Sequence, residues 1–307
     1  MQPIEETVIM WGPTGSGKTS LFYAFLKKLE RLSISSKDFF FEALDLQSGF
    51  PFDNNIGKYG IEATDVDISD DLLSIKRIPK IKSVENELSC SFVHKVHIQD
   101  YAGKYSIAAT VDPYKVLSSN NFILALDSYK GFDYQRHLAN LHQRLLNGQN
   151  DNTQIRIAVC VTKIDLDEDG VLVTPAGQII MNDSDLDAYI TRHFGIEVKT
   201  SLDMFAADDR FVINKFLTSA VGFYYDGEED QRMSNYLIPK QTDESKKSDG
   251  SQKWIKDEKK WNPIGVADPF FWIFTLSEKK ILEKRKKTFE FLWTKKEIDD
   301  YKPWSVT

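Results

Sequence analysis

Along the chain, short runs of apolar and β-branched residues alternate with longer stretches whose apolar positions recur every three to four residues. The short runs cover residues 7–11, 92–100, 121–127, 155–162 and 211–217. Each is bounded by polar or glycine-containing turns and reads as a buried strand. The longer stretches at residues 18–31, 132–146 and 184–194 carry the period of helices. Strands alternating with helices predict a three-layer α/β fold, a mostly parallel sheet covered on both faces. A ligand then belongs at the carboxyl ends of the strands.

Three regions interrupt this pattern. Residues 33–91 form a long, poorly periodic insertion. Within it residues 72–82 read as a further strand, forming a hairpin with 92–100, and Pro79 favours an edge position for it. A second insertion at 167–181 holds short apolar runs around Pro175, Ala176 and Gly177, the pattern of a small hairpin. After Asp226 the composition shifts, and residues 241–253 are polar and rich in Ser, Lys and Asp, as linkers are. Beyond them Trp254, Trp261, Trp272, Trp293 and Trp304 accumulate, which predicts an ordered tail. The expected organisation is one domain at 1–226, a polar linker at 227–262 and an aromatic, basic helical segment at 263–307.

Composition narrows the class. The 307 residues are 41% hydrophobic and 28% charged, ordinary for a globular protein, and a net charge of −7 argues against nucleic-acid binding. Cys90 and Cys160 sit in apolar stretches without ligand spacing, so they read as reduced core residues. No run approaches a membrane span. The N-terminus lacks a basic leader, Gln2 excludes myristoylation and the C-terminus offers no prenylation site, so the expected location is cytoplasmic.

The candidate chemistry begins with Gly12, Pro13, Thr14, Gly15, Ser16, Gly17, Lys18, Thr19 and Ser20, placed between a predicted strand and a predicted helix. They satisfy G-x-x-x-x-G-K-[ST], a loop whose glycines let backbone N–H groups close around phosphate oxygens. The helix N-terminus adds partial positive charge, Lys18 reaches the β- and γ-phosphates, and the Thr19 hydroxyl ligates Mg²⁺. Asp100, Tyr101, Ala102 and Gly103 follow at the end of a later strand. An aspartate there holds Mg²⁺, and a glycine N–H meets the γ-phosphate. Thr162, Lys163, Ile164 and Asp165 end a further strand. One carboxylate accepts from the adjacent N1–H and N2–H₂ donors of guanine, and adenine presents the opposite pattern.

In this order the three motifs resemble those of the Ras-like GTPases of the translation-factor-related P-loop class. The likeness covers residues 7–221, and the insertions and tail are more similar to divergent prokaryotic members, including the double-GTPase group. It implies GTP or GDP with Mg²⁺ as ligands and an effector or activating protein as partner. It also implies a last guanine-contacting loop, matched by Thr218, Ser219 and Ala220, with Thr200 and Ser201 as competitor. The switch threonine that closes over Mg²⁺ is matched by Thr64. Where the family often carries a water-orienting glutamine, this chain has Lys104, which predicts slow hydrolysis. The expected function is a GTP-hydrolysing molecular switch. A nucleotide-holding scaffold without turnover is the alternative, and Asp165 argues against an ATP-dependent enzyme.

Two features read as structural. His94 and His97 lie on one strand at an odd spacing, so they face opposite ways and cannot share a metal. Residues 277–296 combine Lys279, Lys280, Lys284, Arg285, Lys286 and Lys287 with Leu282, Phe289 and Leu292 at helical spacing. That amphipathic helix packs its apolar stripe on the domain, with an anionic membrane surface or an acidic partner as the competing use of its basic face.

Overall fold

The computed structural model describes residues 3–45, 68–77, 80–82, 87–89, 92–101, 119–129, 131–148, 154–166, 181–226, 231–234 and 261–288. Within them the chain folds as a three-layer α/β domain. The central sheet has seven strands in the order β2-β3-β6-β1-β7-β8-β9. These are β1 (Ile4–Trp11), β2 (Phe39–Asp45), β3 (Ile68–Arg77), β6 (Phe92–Tyr101), β7 (Asn121–Asp127), β8 (Ile155–Thr162) and β9 (Phe211–Leu217). Strands β6, β1, β7, β8 and β9 run parallel, whereas β3 is antiparallel to both β6 and β2. Two small hairpins complete the strands, β4 (Lys80–Lys82) with β5 (Glu87–Ser89) and β10 (Phe223–Asp226) with β11 (Gln231–Ser234).

The five helices described are α1 (Lys18–Ser35), α2 (Tyr134–Gly148), α3 (Asp183–Phe194), α4 (Ile196–Ala206) and α5 (Asp268–Thr288). Side chains alternate across β1, so Ile9 and Trp11 join one core while Val8 and Met10 join the other. The first core takes Leu138, Leu141, Tyr189, Ile190 and Leu202 from α2, α3 and α4. The second takes Leu21, Phe25 and Leu29 from α1 and Phe270, Phe271 and Phe274 from α5. Strands β7 and β8 are buried along their whole length, because helices cover both of their faces.

The structure departs from the sequence reading in several places, among them helix α4, which the pattern missed. The strand expected at 72–82 is β3, which begins earlier, ends at Arg77 and lies inside the sheet. The edge belongs to β2, which the pattern missed. Pro79, residues 167–180 of the hairpin predicted at 167–181, the linker at 241–253 and Cys90 lie outside the described residues. Helix α5 starts at Asp268 and not at 277. Its Phe270 ring stacks on Phe25 of α1 with centroids 3.9 Å apart. Each such buried phenylalanine contributes about 1.5–3 kcal/mol, so residues 261–274 belong to the core. Phe289 and Leu292 fall outside the described residues.

The two strand histidines face opposite ways, as alternation requires. His97 is exposed and its Nδ1 lies 3.1 Å from Asp70. His94 is buried, with Nδ1 3.3 Å from Glu6 of β1 and Nε2 3.0 Å from Glu278 of α5. The Ser277 hydroxyl donates to Glu6, and Arg156 of β8 lies 3.6 Å from the same carboxylate. This buried polar cluster ties α5 to the sheet. Burial acts against the charged imidazole, but the two carboxylates outweigh it and raise the His94 pKa to about 9. No helix among the described residues is long and apolar enough to cross a membrane.

Candidate functional site

β1 ends at Trp11 and α1 starts at Lys18, so residues 12–17 carry the chain from sheet to helix. Gly12, Gly15 and Gly17 make this turn with φ of +150°, +84° and +88°. At Gly12 a Cβ would lie 2.8 Å from the Ala125 carbonyl oxygen and 2.9 Å from Ser16 Oγ, so only glycine fits. Thr14 and Gly15 are exposed at the tip of the turn, while Ser20 is half-buried in the first turn of α1. That first turn holds no acidic residue and no side-chain cap. Its leading N–H groups therefore favour an external anion.

Lys18 folds back over this turn. Its Nζ donates to the carbonyls of Gly12 at 2.9 Å and Pro13 at 3.1 Å. Burial lowers its pKa, against the pull of Asp100. Asp100 stands beside Met10 in the β1–β6 register, near the end of β6. It accepts a hydrogen bond from the Thr19 hydroxyl at 2.5 Å through Oδ2, while Oδ1 is buried without a hydrogen-bond partner. Burial raises the Asp100 pKa and Asp71 adds to the rise, whereas Lys18 and Thr19 lower it. Both groups of this pair are thus driven toward neutrality. An anion at Lys18 and a cation at Asp100 would each favour the charged form.

The end of β8 meets the same turn. Thr162 Oγ1 donates to the Ser16 carbonyl at 2.6 Å and contacts the Leu126 carbonyl at 3.2 Å. Lys163 takes a left-handed φ of +60°, the one positive φ of a residue other than glycine among those described. Such a backbone is strained and persists where its surroundings hold it. Here its Nζ is held by the Gly15 carbonyl at 2.8 Å and by Asp127 Oδ2 at 2.7 Å. Asp165 follows in a single 3₁₀ turn (Ile164–Leu166), and the Ser219 hydroxyl donates to its Oδ1 at 2.6 Å. Ser219 Oγ also accepts from the Gly222 N–H at 2.7 Å. Thr218 ties this loop to β8 through its N–H on the Val161 carbonyl at 2.8 Å.

No protein-family model matches the chain, and no curated protein matches it in sequence. Residues 12–20, Asp100, Thr162, Lys163, Asp165 and Ser219 gather at the carboxyl ends of the parallel strands, the place that open α/β sheets use for ligands. The competing pair Thr200 and Ser201 lies inside α4, where Ser201 Oγ bonds the Glu197 carbonyl. Thr64, Gly103 and Lys104 lie outside the described residues.

Two acids escaped the sequence reading. Asp71 occupies an inward position of β3 and is fully buried, and its charge acts on Asp100. Asp127 ends β7 and anchors Lys163. An aspartate at an inward position of an alternating strand was the available signal for the first. The second required knowing that β7 and β8 are neighbours. Among the described residues no group of three or more His, Cys, Asp or Glu side chains forms a metal site alone. The Thr19 hydroxyl and the unpartnered Asp100 oxygen are donors of the kind a hard divalent cation could take.

Proposed function

We propose that this chain is a Ras-like P-loop protein that binds a guanine nucleotide with Mg²⁺ and turns over GTP slowly. The observation that carries the reading is the convergence of three separated motifs on one turn. Thr162 and Lys163 bond the carbonyls of Ser16 and Gly15, while Thr19 bonds Asp100. A turn of this kind offers backbone N–H groups to phosphate oxygens, with the Lys18 ammonium beside them. On binding, Lys18 would exchange loop carbonyls for phosphate oxygens, a charge-assisted contact stronger than those it leaves. Mg²⁺ supplies neutralisation of charge on the transferring phosphoryl group. Thr19 and Asp100 would hold that ion.

Base choice rests on Asp165. Ser219 occupies Oδ1 and fixes the carboxylate, so its acceptor pair is presented in one orientation. An ordered carboxylate takes up the two adjacent donors of guanine and leaves adenine's acceptor unpaired. Lys104, in place of a water-orienting glutamine, favours slow turnover or a scaffold that holds its nucleotide. Competition of GTP, ATP and XTP against a fluorescent GTP analogue tests the reading. Wild type should prefer GTP, and Asp165→Asn should shift preference toward XTP. Equal affinity of wild type for ATP and GTP would refute it.

A further inference from the structure

The turn that carries Ser219 is gripped from outside by residues 261–265. Ser219 and Ile264 form an isolated antiparallel bridge, with the N–H of each on the carbonyl of the other at 2.9 Å. The Trp261 indole N–H donates to the Ala220 carbonyl at 2.9 Å. Contact is close enough that a Cβ on Gly222, itself at φ +76°, would lie 1.8 Å from the Asn262 carbonyl oxygen. On its other side the Trp261 ring lies under the Arg31 guanidinium, 4.8 Å from carbon to ring centroid. A strap remote in sequence thus fixes both peptide groups flanking Ala220. One of them belongs to the residue whose hydroxyl orders Asp165.

We infer that Trp261 and Ile264 are positioning residues for base recognition, holding the turn at residues 219–221 so that its backbone N–H groups complete what Asp165 begins. The inference rests on the proposed guanine site. Guanine's edge presents two donors followed by the O6 acceptor. Asp165 answers the donors, and the turn bonded to it through Ser219 is the neighbouring source of an N–H for O6. Without the strap the Ala220 peptides rotate and that donor is no longer aimed. Asp165 keeps its own bond to Ser219, so the two halves of recognition separate.

The test uses the full chain with Trp261→Phe, which removes the indole N–H and keeps a ring beneath Arg31. Loss of one hydrogen bond predicts release of a labelled guanine nucleotide about fivefold faster. The preference for GTP over 6-thio-GTP, whose sulfur accepts poorly, should fall by a similar factor. The preference for GTP over ITP, which lacks only the 2-amino donor, should stay as in wild type. Arg31→Gln is the second variant, on an exposed residue roughly 20 Å along α1 from Lys18. It should speed release in the same direction, about twofold. Unchanged release and unchanged GTP over 6-thio-GTP preference in Arg31→Gln and in folded Trp261→Phe would overturn the inference and leave the guanine site standing. Wild-type protein that binds no guanine nucleotide would overturn both.

Discussion

Thr19 donates its hydroxyl to Oδ2 of Asp100 at 2.5 Å, leaving Oδ1 of the same carboxylate buried with no partner. A helix residue and a strand residue 81 positions apart are thereby joined at the mouth of the glycine-rich turn. Burial raises the Asp100 pKa, and a cation at this carboxylate would favour its charged form.

Asp100→Asn should therefore separate stability from function. Without ligand the variant should melt higher, by about 2–4 °C if the gain is near 1 kcal/mol. The enhancement of nucleotide affinity by Mg²⁺, measured with and without a chelator, should be lost in the variant. Unaltered Mg²⁺ dependence would remove Asp100 from the metal site.

Gly12→Ala tests the turn itself. The added Cβ meets a backbone oxygen 2.8 Å away at a φ that L-residues rarely adopt. The loop must shift, at a cost of about 1–3 kcal/mol for a residue held in such a region. We expect weaker nucleotide binding by at least about tenfold, read by fluorescence titration, with a lower melting temperature.

His94 sets a pH window for the union of α5 with the sheet. Its folded pKa of about 9 lies above the unfolded value of 6.5. The sign is that of a cation stabilised by folding. Its contribution, a few kcal/mol in order of magnitude, is complete below about pH 6.5 and fades as pH rises through about 9. Thermal melts between these values should record the loss. His94→Leu should flatten that dependence and cost about 3–5 kcal/mol at neutral pH, because the buried Glu6 and Glu278 both lose the His94 cation, and Arg156 stands beside Glu6 at the longer distance of 3.6 Å.

Hydrolysis should be slow. A lysine ammonium only donates hydrogen bonds, so Lys104 cannot accept from an attacking water as a glutamine does. Single-turnover phosphate release from pure protein should not exceed about 10⁻⁴ s⁻¹, the unaided scale of Ras-like proteins. A rate of about 1 s⁻¹ without any partner would show that another residue orients the water.

The sequence by itself determined what depends on neighbours along the chain. Apolar runs of strand length and helices of regular period place β1, β6, β7, β8 and β9 and the helices α1, α2 and α3. The turn at residues 12–19 is equally local, since its glycines, its lysine and its place before a helix are read in one span. Only the tertiary structure decided which distant residues meet. Ser219 reaches Asp165 because β9 lies beside β8 in parallel register, a relation that no periodicity encodes. Asp127 meets Lys163 for the same reason across β7 and β8. The tail follows a polar stretch, and nothing in its own residues says that Phe270 stacks on Phe25 or that Trp261 grips the turn after β9. Burial of aromatic surface is non-directional and roughly proportional to area. It draws a segment home across any length of intervening chain, and that chain's composition does not reveal where the segment docks.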